Sequence, residues 1–208
     1  MVERYGPLTA RTYDLLSGEP VYGVGRRLAI PALRLQPGQR VLDAGCGTGL
    51  NLPDLLDAVG PAGEVVGLDR STAMLEAARR TMSSRPDAAR LRLVPGDMGD
   101  RAVLRDAADG RLFDAVILTY SLSLTPDPRE VWRSITTVLR PGARVAVVDM
   151  ARPTGRAAWA APLARLACRL GGADIDAHPW TAVRPDLGQT RTWSRRGGHV
   201  QVLVGTLR

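Results

Sequence analysis

The stretch VLDAGCGTG, residues 41–49, decides the fold of this chain. A short apolar run ends in an acid, Asp43, and three glycines follow at alternate positions. Glycine lacks a Cβ atom, so its backbone can adopt positive φ and approach a ligand closely. A helix after such a turn directs its unpaired N–H groups at the same ligand. The pattern therefore predicts a strand, a ligand-binding turn and a helix.

The spacing of the glycines separates two classes of ligand. A dinucleotide-binding turn needs G-x-G-x-x-G, but Leu50 occupies the last of those positions and the pattern here is G-x-G-x-G. The sequence D-x-G-x-G-x-G after a strand resembles motif I of the class I methyltransferases that depend on S-adenosylmethionine (SAM). An ordinary strand-to-helix turn gives the same local pattern, so the motifs that follow have to distinguish it from a SAM-binding turn.

Later strand ends extend the resemblance. Asp69 ends the run EVVGLD about 20 residues after the glycine turn, where a carboxylate can accept both hydroxyls of a ribose; a charge at a helix N-terminus is the plainer alternative. Asp97 follows the strand-like stretch RLRLVP. A fourth strand and its exit are predicted at 113–124, and a Pro-Gly turn leading into a fifth strand at 139–150. These motifs occur within residues 39–150 in the same order as in the methyltransferase family that they resemble.

The resemblance implies a site for SAM as cofactor. The glycine turn would lie against the methionine part, and Asp43 would reach its amino group, directly or through water. Asp69 would bind the ribose, Asp97 would contact the adenine amino group, and Met98 would pack on the ring. The full set of implied cofactor-binding residues is Asp43, Gly45, Cys46, Gly47, Gly49, Asp69, Arg70, Asp97, Met98 and Tyr120.

Strand and helix patterns alternate along the chain, which predicts an α/β fold with a parallel sheet and right-handed crossovers. The tail after Leu187 predicts two strands around the Gly197-Gly198 turn, and this hairpin matches the reversed last strand of the family. We therefore predict a Rossmann-like, doubly wound, mostly parallel seven-stranded sheet in one domain, residues 1–208. Its parts are an N-terminal helical lid with a helix interrupted at Pro31, a SAM-binding core, and a substrate region with the terminal hairpin, at 1–38, 39–150 and 151–208.

Composition narrows the class of protein further. The chain has 208 residues, of which 45% are hydrophobic, enough for the core of one domain. It contains no apolar run of about 18 residues that would predict a spanning helix, and its first residues lack the pattern of a secretion signal. Its two cysteines give neither a disulfide framework nor a metal-binding spacing. We therefore expect a cytoplasmic protein without a metal site.

Basic charge is concentrated after the predicted SAM-binding core. The net charge is +7, and residues 152–208 hold nine arginines against three acids. Such a region favours an anionic partner, for example the inner face of a membrane. Within 152–171, Trp159 and three leucines recur at helical spacing. This stripe predicts either a helix that lies in a membrane interface or a helix that packs on the core.

Few side chains are candidates for catalysis. In methyl transfer the cofactor brings its own leaving group, so the protein has to position the acceptor and exclude water. Tyr120, at the end of the fourth strand, and Tyr13, in the N-terminal segment, are candidates for contact with a cation. His178 is the candidate general base. His199, in the terminal hairpin, is predicted to be structural.

The acceptor is the least determined feature. The Tyr13-Asp14 pair, CGTGLNLP and the SLSL after Tyr120 are similar to bacterial phospholipid N-methyltransferases of the ubiquinone/menaquinone group. Quinone enzymes of that group carry an Arg-Asn pair where this chain has TYSLSL. The main expectation is N-methylation of an amine head group such as phosphatidylethanolamine. The alternatives are a small-molecule O- or C-methyltransferase that acts on a natural product or quinol, a non-catalytic SAM-binding protein, and a nucleic-acid-binding protein, for which nine aromatic residues offer few stacking platforms.

Overall fold

The computed structural model describes residues 19–170 and 172–208, which form a seven-stranded sheet with helices on both faces. The strand order is β3-β2-β1-β4-β5-β7-β6. The first five strands pair in parallel, and β7 runs antiparallel between β5 and β6. The strands are β1 Arg40–Ala44, β2 Glu64–Asp69, β3 Leu91–Pro95, β4 Phe113–Thr119, β5 Leu139–Met150, β6 Leu187–Arg195 and β7 Val200–Leu207. The predicted sheet and its reversed last strand are confirmed.

Helices cover the sheet in two layers, each above its own apolar cluster. The helices are α1 Glu19–Leu33, α2 Leu52–Val59, α3 Thr72–Met82, α4 Arg101–Ala108, α5 Pro128–Thr136, α6 Ala161–Leu170 and the single turn α7 Trp180–Val183. Apolar side chains of α1, α2 and α3 pack on one face of the sheet, and those of α4, α5 and α7 pack on the other. The largest fully buried side chain is that of Trp132 in α5. Its indole Nε1 donates to Asp186, 2.8 Å away, and so joins α5 to the segment before β6.

Polar side chains fix where three of the helices begin. Ser71 accepts a hydrogen bond from the backbone N of Met74, Asp100 accepts from Ala102, and Asp127 accepts from the first turn of α5. Each cap satisfies an N–H group that has no partner inside its helix. The caps follow directly after a strand or its exit loop, so the strand-to-helix turns that build the ligand edge of the sheet are determined locally.

Helix α1 lies against strands β5 and β7, and a glycine permits this close approach. A Cβ atom on Gly25 would come within 2.4 Å of Val148 and 2.6 Å of the Tyr120 hydroxyl. The predicted interruption at Pro31 is wrong, because α1 continues to Leu33. Pro31 is exposed, and burial of Leu33 holds the last turn in place.

The basic segment differs from the predicted single helical stripe. A 3₁₀ turn spans Gly155–Ala160, and α6 begins only at Ala161. Trp159, Leu163 and Leu166 are 82%, 68% and 55% exposed, so the alternative in which these side chains pack on the core is wrong. Among the helices of the described residues, none has the length and apolar character needed to cross a membrane. The predicted lid residues 1–18, with Tyr13, lie outside the described part of the chain.

Candidate functional site

A cavity of about 620 Å³ opens at the carboxyl ends of the parallel strands. Its wall is formed by the turn after β1, the ends of β2 and β4, the loop after β3, and residues of α1 and α6. Most of the predicted cofactor-binding residues line it, namely Gly45, Cys46, Gly47, Asp69, Arg70, Asp97, Met98 and Tyr120. Asp43 and Gly49 do not reach the cavity and lie behind its wall.

Each of the three glycines of the turn is needed for its own structural reason. All have positive φ, between +55° and +85°. A Cβ atom on Gly45 would lie 2.4 Å from Ser121, and one on Gly49 would lie 2.8 Å from Leu52. These two glycines therefore allow the turn to pack against its neighbours. A Cβ on Gly47 would meet nothing within 4 Å, so this residue leaves open space on the cavity side of the turn.

Asp69 connects the glycine turn to the end of β2. Its Oδ2 accepts a hydrogen bond of 2.9 Å from the backbone N of Gly47, and its Oδ1 accepts one of 2.9 Å from Ser71. Burial raises the pKa of Asp69, and the two N–H donors act in the opposite direction. Each carboxylate oxygen keeps a further lone pair that can accept a ligand hydroxyl. This geometry is compatible with the ribose-binding role that the sequence predicts.

Asn51, which the sequence analysis missed, stands between Asp43 and the cavity. Its Nδ2 donates to both carboxylate oxygens of Asp43, at 3.1 and 3.0 Å, and to Thr119 Oγ1 at 2.9 Å. Desolvation is the main reason why the pKa of the fully buried Asp43 rises to about 7, and the Asn51 hydrogen bond acts against it. Asn51 Oδ1 is buried and accepts no hydrogen bond from the residues that the structure describes. The acceptor that borders the cavity here is thus the Asn51 amide.

The loop after β3 supplies the other end of the predicted cofactor site. Asp97 is exposed, and its Oδ1 accepts a hydrogen bond of 2.8 Å from the backbone N of Gly99. Met98 is partly buried against the apolar cluster that includes α4 and α5. Both residues line the cavity. A carboxylate can accept a hydrogen bond from the polar edge of a planar ring, and a thioether side chain can pack on the face of that ring.

Aromatic residues form the opposite wall of the cavity. Tyr120 has φ +55°, and its hydroxyl donates to the carbonyl oxygen of Tyr22, 2.6 Å away. The two rings meet edge to face, with centroids 5.1 Å apart. The hydroxyl of Tyr22 lies 3.1 Å from Nε2 of His199. Tyr22 was missed by sequence reasoning, because its partner is 177 positions away in the chain.

The part of the cavity next to these tyrosines is apolar. Met150, Cys168 and Ala173 are buried there, with Leu124 packed against them. Burial raises the pKa of the Cys168 thiol to about 11, and also raises the pKa of Cys46. Both thiols are therefore protonated and unreactive near pH 7.

Asp149, a second buried acid that the sequence did not suggest, fixes the exit of β4. It accepts hydrogen bonds from the backbone N and the Oγ of Ser123 and from the backbone N of Met150. Burial raises its pKa to about 6, and these donors limit the rise. Because Ser123 belongs to the turn Leu122–Leu124, the acid holds Leu124 in the cavity wall.

The other predicted catalytic residues receive no support from the geometry. His178 is exposed, has φ +45°, and lies beside Trp180 with ring centroids 5.1 Å apart. It does not line the cavity, so its role as general base stays an untested prediction. Tyr13 falls outside the described residues.

The residues at the cavity fit the cofactor that the sequence implies. The buried Asn51 oxygen is an acceptor without a donor from the described chain, as an ammonium group would require. Gly47 leaves room at the turn, and Asp69 offers two oxygens at the end of β2. These residues, with Asp97 and Met98 at the far end, would hold the methionine, ribose and adenine parts of SAM.

Comparison with known proteins identifies the family. The sequence profile of the methyltransferase domain family matches residues 35–175. The chain is 37% identical over 147 residues to a 2-phytyl-1,4-naphtoquinone methyltransferase of Synechococcus elongatus, covering 69% of this chain and 61% of the relative. It is 30% identical over 148 residues to a demethylmenaquinone methyltransferase of Desulfitobacterium hafniense, covering 70% of this chain and 56% of the relative. The chain thus spans about three fifths of these relatives.

A solved structure extends the similarity of fold over the whole chain. The SAM-dependent methyltransferase of Aquifex aeolicus superposes with a TM-score of 0.63 at 16% identity, covering 99% of this chain and 100% of that one. The sheet order, the glycine turn at its ligand edge and the family match agree with one another. The chain therefore belongs to the methyltransferase domain family and has the class I Rossmann-like fold of enzymes that use SAM.

Proposed function

We propose that this protein transfers a methyl group from SAM to a hydroxyl-bearing aromatic acceptor of the quinol type that carries an apolar tail. SAM supplies an electrophilic methyl group whose carbon–sulfur bond breaks with the electron pair left on sulfur. The observation that carries the proposal is the apolar cluster of Met150, Cys168 and Ala173 beside Tyr22 and Tyr120. The relatives support it, because the one from Synechococcus is a 2-phytyl-1,4-naphtoquinone methyltransferase and the one from Desulfitobacterium is a demethylmenaquinone methyltransferase.

The same compartment argues against the phospholipid head group that the sequence favoured. In the described chain, the buried cluster of Met150, Cys168 and Ala173 consists of apolar side chains, and Arg26 of α1 lines the same cavity beyond it. Burying an unpaired charged head group there would be costly. A flat, neutral ring has no charge to desolvate, and it can contact methionine sulfur and tyrosine rings. The quinol reading therefore replaces phospholipid N-methylation as the main proposal.

An apolar tail on the acceptor has a path along α6. Ala167 and Cys168 line the cavity, while Leu163 and Leu166 are exposed on the same helix within one turn of Ala167. Trp159 is exposed just before the helix. An exposed apolar face of this kind is typical of a surface that meets a lipid or another protein. We infer that this face, which we call the α6 face, lies on the membrane that contains the tailed acceptor.

Charge supports an anionic membrane as the partner of the α6 face. Arg156 and Arg169 are exposed at its two ends. The other arginines of the segment are less available, because Asp176 pairs with both Arg152 and Arg165. A basic residue near an anionic surface contributes about 1 kcal/mol. The two exposed arginines and the apolar side chains together match the interfacial type of helix.

The identity of the acceptor is tested by comparing a quinol and a phospholipid as substrates. The purified protein is incubated with labelled SAM and, in parallel, with chemically reduced prenyl-naphthoquinone and with phosphatidylethanolamine, each in neutral detergent. We expect label in the quinol and none in the phospholipid. Label confined to the phospholipid would overturn the proposal and restore N-methylation. Label in neither acceptor would also refute it.

The α6 face is tested by flotation with vesicles of phosphatidylcholine and phosphatidylglycerol. We expect the unaltered protein to float, and we expect Leu163→Ser with Leu166→Ser, or Arg156→Glu with Arg169→Glu, to remain in the soluble fraction. Leu112→Ser is the matched control, because Leu112 is also exposed, by 51%, but lies outside the face. Flotation of the variants together with the unaltered protein, or of none of them, would contradict the assignment.

A further inference from the structure

Tyr22 and His199 form a partly buried hydrogen-bonded pair at the edge of the acceptor compartment. Tyr22 lines the cavity and packs against the cluster of Met150 and Cys168. His199 lies behind it, 7% exposed, with Nε2 3.1 Å from the Tyr22 hydroxyl. The pair joins α1 to the turn before β7. A merely structural tie between these elements is the alternative that has to be distinguished.

The protonation of His199 follows from its second hydrogen bond. Its Nδ1 lies 2.7 Å from the carbonyl oxygen of Ala151. A carbonyl oxygen only accepts, so Nδ1 carries a hydrogen and donates it. In the neutral imidazole the lone pair is then on Nε2, and the hydroxyl of Tyr22 must be the donor to it. The backbone N of Ala151 also donates to the carbonyl of His199, at 2.8 Å, which holds the ring in this orientation.

We propose that Tyr22 and His199 together accept the proton of the acceptor hydroxyl, which rests on the proposed function. The acceptor O–H bond breaks, and its proton bonds to Tyr22 Oη. At the same time the O–H bond of Tyr22 breaks, and its proton bonds to the lone pair of His199 Nε2. The acceptor oxygen keeps the electron pair and becomes negative, while the imidazole becomes positive. Once the acceptor oxygen has formed its bond to the methyl group, the proton on His199 Nε2 returns to Tyr22 Oη, which releases the proton taken from the acceptor to solvent.

The surroundings hold the pair in the geometry that this transfer needs. Tyr120 donates to the backbone carbonyl of Tyr22 at 2.6 Å and meets its ring edge to face. The hydroxyl of Tyr22 is thus fixed between the compartment and the imidazole. Tyr22 acts as the catalytic residue that touches the acceptor, and His199 as the residue behind it that takes the proton. This arrangement assigns His199 a role beyond the structural one expected from sequence.

The first test observes the tautomer of His199 without turnover. The chain has only two histidines, so a ¹⁵N correlation spectrum of the imidazoles contains two sets of signals, and His178→Asn identifies which belongs to His199. We expect the neutral form with hydrogen on Nδ1, and a change at Nε2 in Tyr22→Phe. A hydrogen on Nε2 in the neutral ring would overturn the proposal, since that nitrogen could not then accept a proton.

The second test uses 4-nitrocatechol, whose ionisation is visible in its absorbance. With S-adenosylhomocysteine present and the pH below the first pKa of the free probe, we expect the unaltered protein to bind the ionised form. Tyr22→Phe and His199→Asn should bind the probe in its neutral form. Tyr22→Phe keeps the packed ring, so it reports on the hydroxyl even if His199→Asn folds poorly. A protein that leaves 4-nitrocatechol neutral, or variants that ionise it equally well, would overturn the proposal.

Turnover separates this proposal from the proposed function. With reduced prenyl-naphthoquinone as acceptor, Tyr22→Phe and His199→Asn should lower kcat roughly 100-fold, as expected for loss of a general base, while SAM affinity is retained. Loss that follows His178→Asn instead would assign the base to His178 and refute the pair. If the unaltered protein methylates no quinol, the proposed function fails, and the tautomer and 4-nitrocatechol results still decide whether the pair accepts a proton.

Discussion

Gly47→Ala is the most direct test of the cofactor site, because its two consequences can be separated. Gly47 has φ +55°, and a Cβ atom there would meet no atom within 4 Å. An alanine in this left-handed conformation costs roughly 1–2 kcal/mol of stability. The added methyl group also occupies open space on the cavity wall, where SAM would have to lie. Forcing a ligand past one extra methyl group costs about 1–3 kcal/mol, which corresponds to SAM binding that is about 5- to 150-fold weaker.

Gly110→Ala provides the matched control. Gly110 has φ +70°, is exposed, and would also place a Cβ in open space, but it lies in the turn after α4 and does not line the cavity. The two variants should therefore lose similar unfolding free energy in urea. Only Gly47→Ala should lose affinity for SAM, measured by isothermal titration calorimetry.

Two outcomes would refute the reasoning. If Gly47→Ala binds SAM as tightly as the unaltered protein, the glycine turn does not border the cofactor. If Gly110→Ala loses as much affinity as Gly47→Ala, the effect comes from backbone strain and not from the occupied space. Measuring stability and affinity on the same samples distinguishes these results from a general loss of folded protein.

Two further predictions concern the methionine end of the site. Asn51→Leu removes the buried amide oxygen and should weaken SAM binding about 10- to 100-fold, the expected value of a hydrogen bond to a charged group. Binding of 5′-methylthioadenosine, which lacks the amino-acid part, should change much less. Equal losses of affinity for both ligands in calorimetry would contradict the assignment. Asp43 has its pKa raised from 3.8 to about 7, so the folded protein keeps a proton that the unfolded chain releases. Relative to Asp43→Asn, the ligand-free protein should therefore lose unfolding free energy as the pH rises from about 4 to about 7, by up to about 1.4 kcal/mol per pH unit, and parallel urea curves across that range would disprove it.

Sequence predicts the cofactor half of the site well because that half is assembled from local segments. The glycine turn, Asp69 and Asp97 each lie at or just after the end of a parallel strand, and the carboxyl ends of parallel strands meet at one edge of the sheet. Their positions in the fold therefore follow from their positions along the chain. The hydrogen bond from the backbone of Gly47 to Asp69 adds a contact that no local pattern shows, but it joins two elements already expected to be neighbours.

Burial, in contrast, cannot be read from a motif alone. Asp43 stands in the motif as a ligand-binding acid, yet it is fully buried and meets the cavity only through Asn51. Asn51 lies at the start of α2, where its type alone suggests a helix cap. Its amide makes no such cap and turns to Asp43 and Thr119. Only the packing of α2 against the ends of β1 and β4 reveals which of the two side chains borders the cavity.

The basic segment shows a different limit of sequence reasoning. Helical spacing of Trp159, Leu163 and Leu166 establishes that these side chains share a face, but not what covers that face. The structure leaves all three exposed. It also shows that Asp176, outside the segment in sequence, pairs with Arg165, so a count of charges along the segment overstates its free basic charge.

The two halves of the site are built by different kinds of contact, and this explains why family resemblance determines the cofactor better than the acceptor. The acceptor half combines α1, the end of β5, α6 and the turn before β7, whose residues are far apart in sequence. Of these, α1, α6 and the turn before β7 lie outside the ordered motifs, and α1 also precedes the match to the family. Substitutions at Tyr22, Met150 or Cys168 can therefore change the acceptor without disturbing the glycine turn. We therefore expect the acceptor chemistry that we propose to depend on the pairing of α1 with the terminal hairpin, where Tyr22 meets His199.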